Sequence, residues 1–258
     1  MRKPDMKKIY FLFIICAAIF TQQVNAIEYT TITFPSMDGL EVTADTYIAH
    51  DDKSSPLIVL FHQAGWSRGE YLEIAPKLNK LGFNCIAIDQ RSGDSVNGIE
   101  NETALRALQA EKQTRYIDAL LDIEASLRFA KSQYSESKII AWGSSYSAAL
   151  VLQVAGSQPD LLNGVLSFAP GEYFAKQGKP KSWIKDSAIN ISVPVFITSA
   201  RNEQNSWSAI YAAIKSENKF SFVPVTKGNH GSRALWEQFE DSDQYWSAVN
   251  KFLTNNFL

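Results

Sequence analysis

Lys138-Ile-Ile-Ala-Trp-Gly-Ser-Ser-Tyr-Ser-Ala-Ala-Leu150 passes from an apolar strand to an apolar helix through one tight turn. Gly143-x-Ser145-x-Ser147 fits the small-x-nucleophile-x-small pattern of a nucleophile elbow. Small residues are required there because the turn strains the nucleophile's backbone and brings helix and strand close together. The turn lifts the Ser145 hydroxyl clear of the sheet and aims the amino end of the helix at it. Ser144 is the rival, but the residues two away from it are Trp142 and Tyr146, too bulky for such a turn. A plain helix start, with Ser144 or Ser145 as N-cap, would leave the same Gly-Ser-Ser.

Outward from this turn the chain alternates. Glu28–Phe34 and Leu40–Ile48 read as a hairpin around Ser36-Met-Asp-Gly39. Leu57–Phe61 is a continuous apolar run of the kind found in parallel strands covered on both faces. There follow a helix over Glu70–Leu81, a strand Phe83–Asp89, a helix Arg115–Ser132, a strand Lys138–Ala141, a helix Tyr146–Ser157 and a strand Gly164–Phe168. The strand Pro194–Ser199, helix Trp207–Ser216, strand Phe220–Val225 and a helix around Asp243–Asn255 complete the series. Such alternation predicts an α/β fold with a doubly wound, mostly parallel sheet and an N-terminal β-hairpin. Arg91–Thr114 and Gly171–Ser192 exceed ordinary connection lengths. Both leave carboxyl ends of strands, where open α/β sheets bind ligands. The second, with Tyr173, Phe174 and Trp183, is expected as a small cap over the site or as a surface excursion.

A serine needs a base within hydrogen-bond reach. The sequence has three histidines. His50 lies beside Asp51 and Asp52 in a polar loop and is expected to be solvated. His62 ends the strand Leu57–Phe61 and is expected to be a structural hydrogen-bonder. His230, in Lys227-Gly-Asn-His-Gly231, is the one C-terminal to the serine, as the order nucleophile, acid, histidine requires. The acid should end the intervening strand, where Pro194–Glu203 supplies Glu203; Asp186 and Asp89 are alternatives. Asp89 precedes Arg91 and is expected to form an ion pair. An oxyanion needs backbone donors: the amide of Tyr146 and one from Phe61-His-Gln-Ala-Gly-Trp-Ser67, with Ala64 preferred and Gln63 close behind. Gln63, Trp66, Tyr173 and Trp183 are candidates to line the substrate pocket.

The first residues carry Arg2, Lys3, Lys7 and Lys8, then the uncharged Ile9–Phe20, then Val24-Asn25-Ala26. A basic start, a short apolar run and a small residue before a cut are the parts of a secretory signal; an uncleaved anchor is the other reading. Cys16 raises a lipoprotein option, against which Ile15 stands where a small residue is expected. Cleavage after Ala26 would leave one domain, residues 27–258, in a bacterial periplasm or outside the cell, with no stable membrane insertion. Of 25 basic and 27 acidic residues, the first 26 hold four basic ones and Asp5, so the remainder sits near −5. No basic stripe for nucleic acid survives. Cys85 is then the only cysteine, in an apolar strand, which excludes an intramolecular disulfide. Three scattered histidines without a cysteine cluster argue against a metal site, and no cofactor is implied.

With these residues in place the chain resembles the α/β-hydrolase superfamily, in its dienelactone hydrolase-like and prolyl-oligopeptidase-like branch. The resemblance spans nearly all of 28–258. It rests on His62-Gln-Ala-Gly65, Asp89-Gln-Arg-Ser-Gly-Asp-Ser95, the turn around Ser145, Pro194–Glu203 and His230-Gly231. It implies Ser145 as nucleophile, Glu203 as acid, His230 as base and oxyanion amides at Ala64 and Tyr146. Ser147 and Gln63 stand where the family has glycine, and Glu203 where aspartate is commoner. The dienelactone hydrolases themselves use a cysteine where this chain has Ser145.

Two functions fit. One is an exported serine hydrolase acting on a small-molecule acyl substrate through an acyl-enzyme, carboxylesterase-like. A peptidase is disfavoured because no propeller or other gating domain precedes the catalytic unit; a thioesterase or lactonase would leave the same sequence. The other is an exported, non-catalytic binding protein that keeps the fold. The oligomeric state is not legible.

Overall fold

Every side chain of Leu57–Phe61 is buried, and the run splits by parity between two cores. Leu57, Val59 and Phe61 belong to one cluster, Ile58 and Leu60 to the other, because successive strand residues point to opposite faces. A strand with apolar side chains at every position must therefore be covered on both sides. The computed structural model describes residues 29–258; the segment expected as a leader, 1–26, and Glu28 lie outside them.

The strands are β1 (Thr30–Pro35), β2 (Glu41–Tyr47), β3 (Leu57–Phe61), β4 (Asn84–Ile88), β5 (Ser95–Val96), β6 (Ile99–Glu100), β7 (Ile139–Ser144), β8 (Gly164–Phe168), β9 (Val195–Thr198) and β10 (Lys219–Phe222). The main sheet has the order β1-β2-β4-β3-β7-β8-β9-β10. β1 and β2 form the expected antiparallel hairpin and β2 joins β4 antiparallel. From β4 to β10 all pairings are parallel. The helices are α1 (Ile74–Lys80), α2 (Glu102–Gln109), α3 (Leu120–Gln133), α4 (Tyr146–Ser157), α5 (Trp183–Ala188), α6 (Gln204–Ala213) and α7 (Ser242–Phe257). Residues of α3, α4, α5 and α6 fill one core, those of α1 and α7 the other. The sheet is thus doubly wound and mostly parallel. Among the described residues no helix is long and apolar enough to cross a membrane.

The chain leaves β3 toward β4 and later returns to lay β7 on the opposite side of β3. The strand order reverses between β3 and β7, which opens a crevice beyond their carboxyl ends. His62 follows β3 and Ser145 follows β7 at that crevice.

The two long connections carry secondary structure of their own. Arg91–Thr114 holds the small hairpin β5–β6, turned by Asn97-Gly98, both at positive φ. It also holds α2, capped by Asn101, whose side chain accepts from the Ala104 amide at 2.8 Å. In Gly171–Ser192, α5 buries Ile184 and Ala188 in the core it shares with α4 and α6. A Cβ at Gly156 would lie 2.0 Å from the Ser187 carbonyl oxygen, so α5 sits directly on α4. The helical half of this segment is a layer of the domain, and its first residues, Gly171–Tyr173, continue from the end of β8.

Candidate active site

Ser145 takes φ 60° and ψ −119°, a conformation that an L-residue adopts at a cost of about 1–3 kcal/mol. Its amide donates to the Phe168 carbonyl at 2.8 Å, which pins the turn to the end of β8. Although Ser145 occupies the N-cap position of α4, its hydroxyl caps no helix amide. It donates instead to His230 Nε2 at 2.8 Å. The turn tolerates no bulk at its start: a Cβ on Gly143 would come within 2.4 Å of the Ser147 carbonyl oxygen. Ser147 stands at the second small position with its side chain fully buried and hydrogen-bonded. It donates to the His62 carbonyl and accepts from Gln90 Nε2, both at 2.6 Å.

His230 lies on the loop between β10 and α7. Asp241 holds that loop, accepting from Thr226 Oγ1 at 2.7 Å and from the Gly228 amide at 3.1 Å. Gly231, at φ 70°, follows directly; a Cβ there would lie 2.5 Å from Ser144 Oγ and 2.7 Å from Gln63 Oε1. Only glycine lets the loop pass this close behind the strand that leads to Ser145. His230 Nδ1 faces Glu203 Oε1 at 2.6 Å. Glu203 ends the 3-10 turn Arg201–Glu203 after β9, and its Oε2 accepts from the Ala200 amide at 3.2 Å. The structure therefore brings Ser145, His230 and Glu203 into one hydrogen-bonded line, with Nδ1–H directed at the carboxylate and Nε2 free to accept from the serine.

The other acid candidates go elsewhere. Asp186 is exposed in α5 and accepts from Ser182 Oγ at 2.7 Å. Asp89 is buried and paired with Arg68 at 2.6 Å, not with Arg91 as its position in sequence suggests. Arg91 reaches Asp122 and Asp38 instead.

Tyr146 opens α4, so its amide has no intrahelical partner. In the loop after β3, the Gln63 amide donates to Glu70 Oε2 at 2.8 Å and is engaged. The Ala64 amide has no acceptor among the described residues. Of the two loop candidates, Ala64 is thus the one whose amide is unengaged among the described residues. His62 beneath this loop is fully buried. Its Nδ1 donates to the Gln63 carbonyl at 2.8 Å, while Nε2 accepts from the Gln90 amide and from Asn101 Nδ2, each at 3.0 Å. Burial holds its pKa down at about 4, so the ring is neutral and braces the loop. His50 is half-buried rather than solvated, donating from Nε2 to the Asn79 carbonyl at 2.8 Å.

The candidate lining residues divide. Trp66 stacks on Trp236 with centroids 5.2 Å apart, beneath the Arg233 guanidinium. Tyr173 donates to the Ala169 carbonyl at 2.7 Å and stays about one-third exposed at the end of β8. Trp183 packs edge-on against buried Phe174, under Lys179, so its contacts are those of core packing. Gln63 is buried, and its Oε1 has no hydrogen-bond partner among the described residues. A cavity of about 500 Å3 adjoins His230 and Glu203, with Asn202, Arg233 and Phe239 in its walls. Two residues outside the sequence-derived set complete the site: Glu70 and Ser232, both bonded to Ser144 or its neighbours. Among the described residues no group of three or more His, Cys, Asp or Glu could hold a metal ion.

A family model described as serine aminopeptidase, S33 (Hydrolase_4), matches residues 52–252. No curated protein matches the chain by sequence. Among solved structures, an esterase of Pyrococcus furiosus superposes with a TM-score of 0.68 at 20% identity, over 89% of this chain and 93% of that one. A dienelactone hydrolase from Anabaena variabilis gives 0.67 at 11% identity, over 90% and 99%. An acylaminoacyl peptidase of Pyrococcus horikoshii gives 0.62 at 16% identity, over 91% of this chain and 42% of that one. At these identities the likeness speaks to the fold.

Proposed function

The chain belongs to the serine aminopeptidase family S33 (Hydrolase_4), with the α/β-hydrolase fold, and we propose that it is a serine esterase working through an acyl-enzyme. The observation that carries this reading is the line Ser145–His230–Glu203, with links of 2.8 and 2.6 Å, built on a serine at positive φ. In the proposed reaction Ser145 Oγ attacks the ester carbonyl while His230 Nε2 takes its proton. Glu203 holds the imidazole in its tautomer and stabilises the imidazolium. The amides of Ala64 and Tyr146 donate to the oxyanion of the tetrahedral intermediate. His230 then returns the proton to the leaving alcohol, and water attacks the acyl-enzyme by the same route in reverse.

The experiment is turnover of p-nitrophenyl acetate and butyrate, together with fluorophosphonate labelling. Wild type should hydrolyse both and label at Ser145; Ser145→Ala and His230→Ala should do neither. A wild-type rate equal to that of His230→Ala would instead support a binding protein that retains the fold. The name of the matching family favours a second reading, an aminopeptidase. Faster cleavage of aminoacyl p-nitroanilides than of the esters would select it. We further propose export with cleavage after Ala26, from the basic start and apolar run of residues 1–26. A mature protein that still begins at Met1 would refute this.

A further inference from the structure

Glu70 is a carboxylate buried behind the site that the proposed reaction does not use. It lies on the 3-10 turn Arg68–Tyr71, with a relative exposure of 0%. Leaving it there has a cost: burial pushes its pKa up to about 7 against the pull of its hydrogen bonds and of nearby His230 and Arg233. A buried acid with no counter-ion bonded to it among the described residues is rarely a neutral choice, since an apolar residue of similar size would avoid the desolvation.

Its partners give the reason. Oε1 accepts from Ser144 Oγ at 2.7 Å, and Oε2 accepts from the Gln63 amide at 2.8 Å. Ser144 Oγ in turn accepts from the Ser232 amide at 2.9 Å. Each contact falls one or two residues from a group assigned a chemical role. Gln63 precedes the oxyanion amide of Ala64, Ser144 precedes the nucleophile, and Ser232 lies two residues after the base. Two segments therefore meet directly at one carboxylate, and the third, through Ser232, joins them at Ser144 Oγ. Trp142 Nε1 donates to Ser232 Oγ at 2.8 Å and Trp236 Nε1 to the Glu70 carbonyl at 3.0 Å, which fixes the frame around it.

We propose that Glu70 is a positioning residue that sets the oxyanion loop, the nucleophile turn and the histidine loop in register with one another. The inference rests on the esterase reading for its kinetic consequence and on the hydrogen bonds alone for its structural one. Both Glu70 oxygens act as acceptors, and a carboxylate is the side-chain group that offers two. A glutamine has one acceptor oxygen and one NH2. If that oxygen serves Gln63, the NH2 meets Ser144 Oγ, and the serine proton loses its acceptor. If it serves Ser144, the NH2 confronts the Gln63 N–H, and the oxyanion loop must shift. A shift of that kind near the reacting atoms costs about 100-fold in rate.

The test compares wild type, Glu70→Gln and Ser144→Ala, with active serines counted by fluorophosphonate titration. In Glu70→Gln, kcat per titrated serine should fall about 100-fold while KM changes by less than about threefold, as expected when ground-state binding is spared. A purely structural loss would lower the number of titratable serines and leave the rate of each unchanged, and that result overturns the proposal. Amide hydrogen exchange supplies a readout independent of catalysis. Exchange at one of the two amides should speed up about tenfold in Glu70→Gln, the equivalent of one hydrogen bond: at Ser232 if the glutamine oxygen serves Gln63, at Gln63 if it serves Ser144. Ser144→Ala, which keeps the bond between Glu70 and Gln63, should speed exchange at Ser232 alone, and it serves if Glu70→Gln does not fold. Unchanged exchange at both amides overturns the proposal. If wild type neither labels nor turns over ester, the esterase reading fails, and exchange alone decides the role of Glu70.

Discussion

The Ser147 hydroxyl donates to the His62 carbonyl at 2.6 Å, which ties the first turn of the helix after Ser145 to the loop that carries the Ala64 amide. The same oxygen accepts from Gln90 Nε2 at 2.6 Å, so the end of β4 joins the contact. A glycine at this position would give the tight turn its room but would leave a buried carbonyl and a buried amide short of partners. Ser147→Gly is therefore expected to lose about 1–3 kcal/mol of stability. Urea unfolding at fixed pH measures this, and an unchanged midpoint would show that the serine is an idle substitution.

Glutamate in place of the commoner aspartate is a question of reach. Glu203 stands on a 3-10 turn after β9, and its extra methylene carries Oε1 to 2.6 Å from His230 Nδ1. Glu203→Asp draws the carboxylate back by about 1.5 Å, whereas Glu203→Gln keeps the length and removes the charge. Glu203→Gln should lower kcat by roughly 10⁴-fold, as loss of the imidazole's orienting charge does elsewhere. Glu203→Asp should fall between that variant and wild type. Equal rates for Glu203→Gln and wild type on p-nitrophenyl acetate would remove Glu203 from the mechanism.

Much of this architecture is legible in the chain because its local signals agree. The strands Leu57–Phe61 and Gly164–Phe168 and the helix Tyr146–Ser157 fall at the bounds that apolar runs and turn residues predict. The nucleophile, acid and base candidates follow from chain order and strand ends, which are sequence properties. What escapes is set by contacts between distant segments. Asp89 pairs with Arg68 because a loop folds back across 21 residues, although Arg91 is nearer in sequence. Trp183 packs against Phe174 because α5 is drawn into the core by Ile184 and Ala188. Glu70 reads as an ordinary helical glutamate, and its partners are 7 and 74 residues away. By contrast α2 and its Asn101 cap were within reach, since Asn followed by a helix-forming run is a local start signal.

His62 makes the protein sensitive to acid. Its folded pKa is lowered to about 4 from an ordinary 6.5 because burial disfavours the charged ring. The unfolded chain therefore takes up a proton between these values while the folded protein does not. Stability that is complete above pH 6.5 drains away as the pH falls toward 4, by about 3 kcal/mol from this ring. Replacing His62 by asparagine should abolish that part of the slope. An NMR titration of the His62 ring gives the direct check: protonation in the folded protein at pH 6 or above would contradict a buried neutral ring.

Arg68 is the hub of the largest charge cluster near the site. Its Nη1 donates to Asp89 Oδ2 at 2.6 Å and to the Glu100 carbonyl at 3.0 Å, and its Nη2 donates to Glu102 at 3.2 Å. Its Nε lies 2.9 Å from Asp45 Oδ2, near enough for charge but not aligned for a hydrogen bond. Asp45 and Asp89 are buried, so Arg68→Met strands two carboxylates without their counter-charge and should cost about 3–5 kcal/mol. The deficit has a sign in pH. Burial already raises Asp89 to about 6 with Arg68 present, and removing the arginine raises it further. An acid whose folded pKa lies above its unfolded one favours the folded state at low pH and loses that advantage as it ionises. The gap between wild type and Arg68→Met should therefore be widest near pH 8 and narrow toward pH 5, where Asp89 can stay protonated in the variant. Denaturation series at both values measure it, and a gap independent of pH would mean that Arg68 contributes through packing rather than charge.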